Sequence, residues 1–442
     1  MLRVDEVPDS GNFPESVDVV VVGGGIIGVC TAYELARRGV SVALLEKGFI
    51  GAEQSGRNWG WVRQQHRDFH ELPLAMRSLQ RWEALTAETG IDLGFRRSGI
   101  SYGTIQPAEL ERWERWNRRA AEMGFHSEML SGKQLQARFP TSTAPWAGGI
   151  WSPTDGKAEP SKAAPGIAEG AKKLGVHVFQ TCAVRALDIS AGRVAGVWTE
   201  RGRIRASTVV CAGGAWTSRF LGAHGIDLPV ANIIGTAMRT SPAPEPVSGC
   251  FNGPGFAMRR RLDGGYTIAV PGYGRFELTP QNIRHSIKFY QMMRSKLSKK
   301  LKIRMGGSFF NGPDASAKWT STDVSPFERI RVLDPVPDRE WADVALRNVK
   351  KTFPELQDVR VVQTWAGVID TSPDLIPVIC ASRTIPGLVI ASGFSGHGFG
   401  LGPGAGQLVS EVVMNDRPYA DVAPFRLERF TSGEAIRPAE MM

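Results

Sequence analysis

The chain reads as an α/β protein, with a Rossmann-type domain interleaved with a sheet-rich α+β domain. Three observations predict this. Residues 17–48, "VDVVVVGGGIIGVCTAYELARRGVSVALLEKG", spell strand, glycine turn, helix and strand. Further α/β texture returns at 161–216 and again after residue 385. Between these blocks, residues 226–350 carry the alternation and turn signals of antiparallel hairpins.

Val17 and Val19 to Val22 form a β-branched run suited to a strand buried on both faces. The helix that follows ends at "RRG", where Gly39 is a good C-terminal cap, and "VSVALLE" is the next buried strand. "SKAAPGIAEGAKKLG" predicts a helix, "VHVFQTCAVRALDI" a strand, and "GRVAGVWTERGRIRASTVVCAGG" a hairpin returning to a buried strand. "GFAMRRRLDGGYTIAVPGYG" predicts a hairpin turning at Asp263-Gly264-Gly265. "RSGISYGTIQ", residues 97–106, reads as a half-exposed strand. "GLVIAS" is a buried strand delivering the chain to "GFSGHGFGLGPGAGQ", and "QLVSEVVMN" has the pattern of a helix. The expected division is 15–90, 146–225 and 355–430 for the nucleotide domain, with 91–145 and 226–354 for substrate.

At 442 residues the chain is long for one core, and its 42% hydrophobic and 22% charged residues are ordinary for a globular protein. No apolar run approaches a membrane span, and the first residues lack a signal-peptide pattern, so a cytoplasmic protein is expected. The five cysteines are widely spaced without a CxxC pair, which argues against a zinc site or disulfide framework. No metal is expected. The net charge of +9 is densest at "RSKLSKKLKIRMGG", residues 294–307. That run reads as a solvated helix face, with Leu297, Leu301 and Ile303 on a membrane surface as the alternative.

Gly23, Gly25 and Gly28 form G-x-G-x-x-G between strand and helix. These glycines serve a tight turn, close backbone approach to a pyrophosphate, and helix–strand packing. The helix start, Ile26 and Ile27, offers amides and partial positive charge to phosphate. Glu46 ends the next strand, placed to accept from an adenosine ribose. The chain is expected to bind a dinucleotide, and the acid favours NAD or FAD over NADP.

Beyond that point the sequence resembles the D-amino acid oxidase-like family of FAD-dependent amine oxidoreductases. The resemblance rests on the glycine fingerprint with Glu46, "SGRN" at 55–58, "TWAGVIDTSPDLIPVI" at 364–379 and "GFSGHGFGLGPGAGQ" at 393–407. These occur in the family's order across nearly the whole chain. The resemblance implies FAD and brings Lys47, Ser55, Gly56, Arg57, Asn58, Gly60 and Trp61 to the cofactor. Arg57 offers a planar fork suited to phosphate, and Asn58 can both donate and accept. It also implies main-chain contact at Val184 and a pyrophosphate-side turn at Gly213, Gly214 and Trp216. Gly396, Gly398 and Gly400 would let backbone reach the flavin edge. A helix starting near Pro403 would aim its N-terminus at the flavin's N1–C2=O side. Some relatives anchor flavin through a cysteine where Gly367 stands here, others through a histidine within a stretch that has none between residues 47 and 65. Non-covalent FAD is therefore expected. Thr267 stands where an oxygen-activating lysine is sought, which leans towards a dehydrogenase using a quinone or other carrier rather than O2.

The implied reaction is oxidation of an amino acid or secondary amine (D-amino acid, N-alkyl amino acid or opine type) to an imine, by hydride transfer to flavin N5. Arg63 and Tyr273 are the candidate ligands of a substrate carboxylate, chosen among Tyr102, Arg259, Arg261, Tyr266 and Arg275; His397 is the candidate catalytic histidine. Trp59 and Trp61 are expected to wall the site. The competing readings are a 2-hydroxy-acid oxidoreductase on the same fold, an FAD-containing RNA-modification protein, and a subunit retained for assembly. No aromatic–basic RNA motif supports nucleic-acid binding. A hetero-oligomer or peripheral membrane contact completes the expected partners.

Overall fold

The computed structural model describes residues 2–294, 301–433 and 436. Two sheets organise it. The first has six strands in the order Val378–Ala381, Leu388–Ser392, Thr208–Cys211, β1 (Val19–Val22), β2 (Val42–Leu45) and His177–Phe179. All neighbours are parallel except the first pair. Parallel strands need cover on both faces, which is why these segments read as unbroken apolar runs. On one side, α1 (Ile26–Ala36) packs with the helices Pro160–Lys173 and Gly398–Met414 around Ile26, Cys30, Ile167 and Leu408. On the other, Trp216, Phe220 and the three-stranded sheet spanning Val184–Arg205 share a second core.

The second sheet has ten strands and is mixed. Ala231–Thr240 runs through its centre and pairs along its length with Val361–Thr371. The helix Arg339–Thr352 covers one face through Ala342, Ala345 and Val349 against Met238, Met258 and Ile268. The hairpin predicted at Asp263-Gly264-Gly265 joins Phe256–Arg260 to Tyr266–Ala269.

Four expectations change. The strands Gly148–Ser152 and Val361–Thr371 belong to the second sheet, so boundaries at 146 and 355 fall at its margins rather than outside it. A buried run of β-branched residues looks alike in either sheet. Ile100–Thr104 is buried throughout, because it lies between two strands and under Trp113 and Trp116. The C-terminal helix begins at Gly398, placing Pro403 inside it. Within the basic run, residues 295–300, including Leu297, lie outside the described residues; Leu301–Arg304 is a strand beside Gly274–Glu277, not a helix. All five cysteines are free and buried. Among the described residues, no helix is long and apolar enough to cross a membrane.

Candidate cofactor and active site

One cavity of about 1220 Å³, its open mouth included, runs from the end of β1 to the start of the Gly398–Met414 helix. Its first end is the turn after β1. Gly23 has φ +108°, and a Cβ there would stand 2.5 Å from the Ala212 carbonyl oxygen. A Cβ on Gly28 would lie 1.9 Å from the Gly23 carbonyl oxygen, so this glycine lets α1 begin directly against the turn. Gly25 caps α1 without a side-chain hydrogen bond, and the Ile26 amide donates to Ser55 Oγ at 2.8 Å. Gly23, Gly25, Ile26, Ile27 and Ser55 all line the cavity. The helix start therefore presents amide donors and partial positive charge to an anion.

Glu46 closes the next wall. Its Oε2 accepts from the Gly24 amide and its Oε1 from the Gly48 amide, both at 2.7 Å. The two bonds orient the carboxylate and leave each oxygen acceptor capacity for a ribose hydroxyl. Burial pushes this carboxyl above its usual range, opposed by Lys47 and the two amides. Lys47 Nζ pairs with Glu53 Oε1 at 2.6 Å and lies 4.7 Å over the Trp216 ring. Val184, Gly213, Gly214 and Trp216 form the opposite wall.

At the far end the lining includes Gln54, Asn58, Val368, Asp370, Gly396, Gly398 and Phe399. Asn58 spends its side chain locally, donating to the Ser55 carbonyl (2.6 Å) and accepting from the Gly60 amide (2.7 Å). Gly396 has φ +81°, in the left-handed region where a side chain is strained. Asp370 Oδ2 accepts from the Gly393 amide at 2.7 Å and from Ser392 Oγ at 3.1 Å, fixing the loop that leads to the helix.

The remaining predicted residues lie outside the lining, with identifiable contacts. Arg57 is buried and turned inward: Nε donates to the Ala52 carbonyl and Nη1 to the Ala366 carbonyl and Asp334. The guanidinium expected at phosphate thus ties two distant loops together. Gly56 packs under Val4 and the Gly51 carbonyl, and Gly60 admits the Ala158 carbonyl and Arg259. Trp61 lies in a short strand against Gly156–Lys157. A Cβ on Gly400 would meet the Trp61 carbonyl oxygen at 3.1 Å, so this glycine serves packing rather than the cavity. Pro403 cannot donate to the Phe399 carbonyl one turn back, and the helix Leu72–Thr89 bonds the backbone at the next step of the ladder, between Gly400 and Gly404. Ser78 Oγ donates to the Gly400 carbonyl (2.6 Å) and accepts from the Gly404 amide (3.1 Å), while Trp82 Nε1 also donates to Gly400 (3.1 Å).

His397 lies behind the helix start. Its Nδ1 is 2.9 Å from Glu71 Oε2, in a buried cluster with Arg63 and Arg67. Burial pushes the imidazole down to about 4, with Glu71 opposing and Arg67 assisting. Burial alone would raise Glu71, but His397 and Arg67 outweigh it and hold the carboxyl below its usual range. Arg63 Nη1 donates to the carbonyls of Gln65 (2.7 Å) and His66 (3.1 Å), close to Gly400. Tyr273 is not brought to the cavity: its ring packs 4.1 Å from Trp341. Arg259 is also spent, in a buried pair with Glu159 (2.8 Å) and a bond to the Trp59 carbonyl. Residues that sequence reasoning missed include Glu53, Gln54, Phe327, Val368 and Asp370 in the lining. Arg239 was missed too; its buried Nε has no hydrogen-bond partner, on the sheet face it shares with Ala237. Val368 and Asp370 lie within the 364–379 stretch that carries the resemblance, but were not singled out there; the others carry no local motif.

A six-stranded, largely parallel sheet with an anion-binding turn and a ribose-facing acid defines a dinucleotide-binding protein, and a cavity reaching a second glycine turn at residue 396 suits the longer reach of FAD. The family model "FAD dependent oxidoreductase" matches residues 18–412, and the chain belongs to that family. It is 27% identical over 430 residues to sarcosine oxidase subunit beta of Arthrobacter sp, covering 96% of this chain and 93% of that one. Among solved structures, L-amino acid deaminase from Proteus myxofaciens, in complex with anthranilate, superposes with a TM-score of 0.91 at 30% identity, covering 97% and 96% of the two chains. L-proline dehydrogenase from P.horikoshii superposes with a TM-score of 0.78 at 25% identity, covering 96% and 100%. The chain is an FAD-dependent oxidoreductase.

Proposed function

We propose that the protein oxidises the C–N bond of an amino acid or N-alkyl amino acid, and that it is a dehydrogenase. The observation that carries this is the single cavity joining the Gly23–Gly28 turn to the Gly396–Gly398 turn, which fits a cofactor of FAD's length and ends beside a second sheet. Bound FAD supplies the two-electron acceptor. The protein's part is to hold the substrate, exclude water and bind its carboxylate. Trp59 and Trp365, packed with Ala237 and Ala269, form an apolar wall next to the cavity-lining Asn58. Arg63, and Arg239 with its unpartnered Nε, are the candidate carboxylate ligands. His397 neighbours Arg63, and a neutral imidazole held by Glu71 would serve to position the helix start.

Dehydrogenase activity is supported at Thr267, whose hydroxyl accepts from Arg259 and Arg261 (both 3.3 Å) and offers no free cation. Non-covalent attachment is supported at Gly367, where a Cβ would lie 2.2 Å from Gln54 Oε1 and there is no thiol. A cytoplasmic location, and assembly with other subunits as the name of the Arthrobacter relative suggests, are part of the same proposal. So is peripheral membrane contact through the exposed Ile283, Ile287 and Tyr290, which flotation with anionic liposomes would detect.

The deciding experiment is anaerobic reduction of the bound flavin by L- and D-amino acids, N-methyl amino acids, opines and 2-hydroxy acids. Bleaching by amines, with dye reduction faster than oxygen consumption, is expected. Bleaching by 2-hydroxy acids alone would replace the reading with the alcohol-oxidising one.

A further inference from the structure

Residues 326–334, "PFERIRVLD", cross from the Trp319 region to the second sheet over the adenosine end of the cavity. After a one-turn helix, Pro326–Arg329, the segment pairs with no strand. Its main chain is held instead by the loop that carries the ribose acid. Lys47 Nζ donates to the carbonyls of Ile330 (3.0 Å) and Arg331 (2.8 Å). Glu53 Oε1 accepts from Lys47 Nζ (2.6 Å), the Leu333 amide (3.0 Å) and Trp216 Nε1 (3.2 Å). Arg331 returns a bond to the Lys47 carbonyl (3.0 Å) and pairs with Glu200 through Nη2 and Oε2 at 2.6 Å. Glu328 pairs with Arg185 (2.8 Å), and Asp334 with Arg57 (2.7 Å).

The bonding is largely polar, and the buried anchors, Pro326 and Phe327, stand together at one end of the segment. Phe327 lines the cavity and packs edge-on against Trp216 and Trp319. Ile330, Val332 and Leu333 are only half buried, Ile330 and Leu333 touching the margin of the second core, and Arg329 is exposed. A segment with few buried apolar contacts and latches made of side chains opens at lower cost than a strand of the core. Gly48 reports how closely it is seated: a Cβ there would stand 2.3 Å from the Arg331 carbonyl oxygen and 3.0 Å from Val332 Cγ2.

We propose that residues 326–334 are a strap that opens to admit FAD and closes to retain it, latched by Lys47, Glu53 and the Arg331–Glu200 pair. The strap rests on the cavity being the FAD site. Because it leads to the second sheet through Asp338, whose amide donates to Thr236 Oγ1 at 2.9 Å, cofactor loading and seating of that sheet are linked.

Two variants outside the cavity lining loosen the latch from opposite sides. Arg331→Ala removes the Glu200 pair and the Lys47 bond. Arg185→Ala removes the Glu328 pair from the facing side, and Arg185 neither lines the cavity nor bonds Glu46. From holoenzyme, FAD release followed by flavin fluorescence should be about tenfold faster in both, with substrate reduction at saturating FAD unchanged. Trypsin should cut after Arg329 in apoprotein and spare it when FAD is bound. Release within twofold of the parent in both variants, or equal cleavage with and without FAD, would overturn the strap. A parent protein that never binds flavin would instead sink the cofactor reading on which it rests.

Discussion

The two glycine-rich segments, 23–28 and 396–406, look equivalent in composition and differ in what their missing side chains make room for. In the first, Gly23 and Gly28 let the main chain turn against itself, so that α1 points at the cavity. In the second, only Gly396 and Gly398 reach the lining. Gly402 and Gly406 instead receive Ile26 and Cys30 of α1, and Gly404 receives Leu74 and Ser78 of the neighbouring helix. The later glycines are a contact surface for two helices, and they hold the cofactor turn in place only indirectly. A glycine's role is thus set by the atom its Cβ would strike.

The comparison can be broken by substitution. Gly28→Ala should have the largest effect, because a methyl 1.9 Å from the Gly23 carbonyl oxygen forces the turn apart. An FAD affinity weaker by at least about 100-fold, roughly 2.7 kcal/mol, is expected from flavin titration of apoprotein. The buried histidines come next. His397 is held down at about 4 and His66 at about 3, His66 by burial and then by Arg63 and Arg112. Both sit below the ordinary value near 6.5, so the unfolded chain takes up the proton first as pH falls. Stability should be full above about pH 6.5 and decline towards pH 4, by up to roughly 3 kcal/mol per histidine. His66→Asn, acceptable at a residue with φ +58°, should flatten part of that decline in denaturant melts.

Gly406→Ala places a methyl 2.5 Å from Cys30 Cβ and should cost on the order of 2 kcal/mol of stability. The folded fraction should keep its FAD affinity within about threefold, since the site itself is untouched. Gly396→Ala is expected to be smallest in stability, about 1 kcal/mol of backbone strain, because Ile369 is 3.7 Å away and leaves room. Its signature should be a displaced flavin absorption band, which Gly406→Ala should not show. If the two alanine variants exchanged signatures, the division between cavity glycines and packing glycines would be wrong.

What was legible in the sequence follows the range of the contacts. Gly23, Gly25, Gly28 and Glu46 are readable because the turn, helix and ribose acid fall within one strand–helix–strand unit, at spacings set by that unit. The strand Leu388–Ser392 and the turn after it were readable from a buried run ending in glycine. Arg57 misled because a guanidinium suits phosphate and carbonyls equally, and Asp334 and Ala366, some 280 and 310 residues away, decide its direction. Tyr273 misled for a related reason: it stands in the turn just before the strand Gly274–Glu277, where no period fixes a side chain's direction, and its ring goes to Trp341. Glu53, Phe327 and the 326–334 segment meet only in three dimensions. The helix start at Gly398 was missed because Pro403 reads as a first-turn residue. Only the contact with Ser78 and Trp82, which bond the Gly400 carbonyl at the step beside it, shows how the helix continues past it.

The central claim is that two turns nearly four hundred residues apart enclose one non-covalently held FAD. Precipitating purified holoenzyme with acid tests it directly. The account predicts a colourless pellet and about one FAD per chain in the supernatant; flavin remaining with the pellet, or no flavin bound by the intact protein, would contradict it.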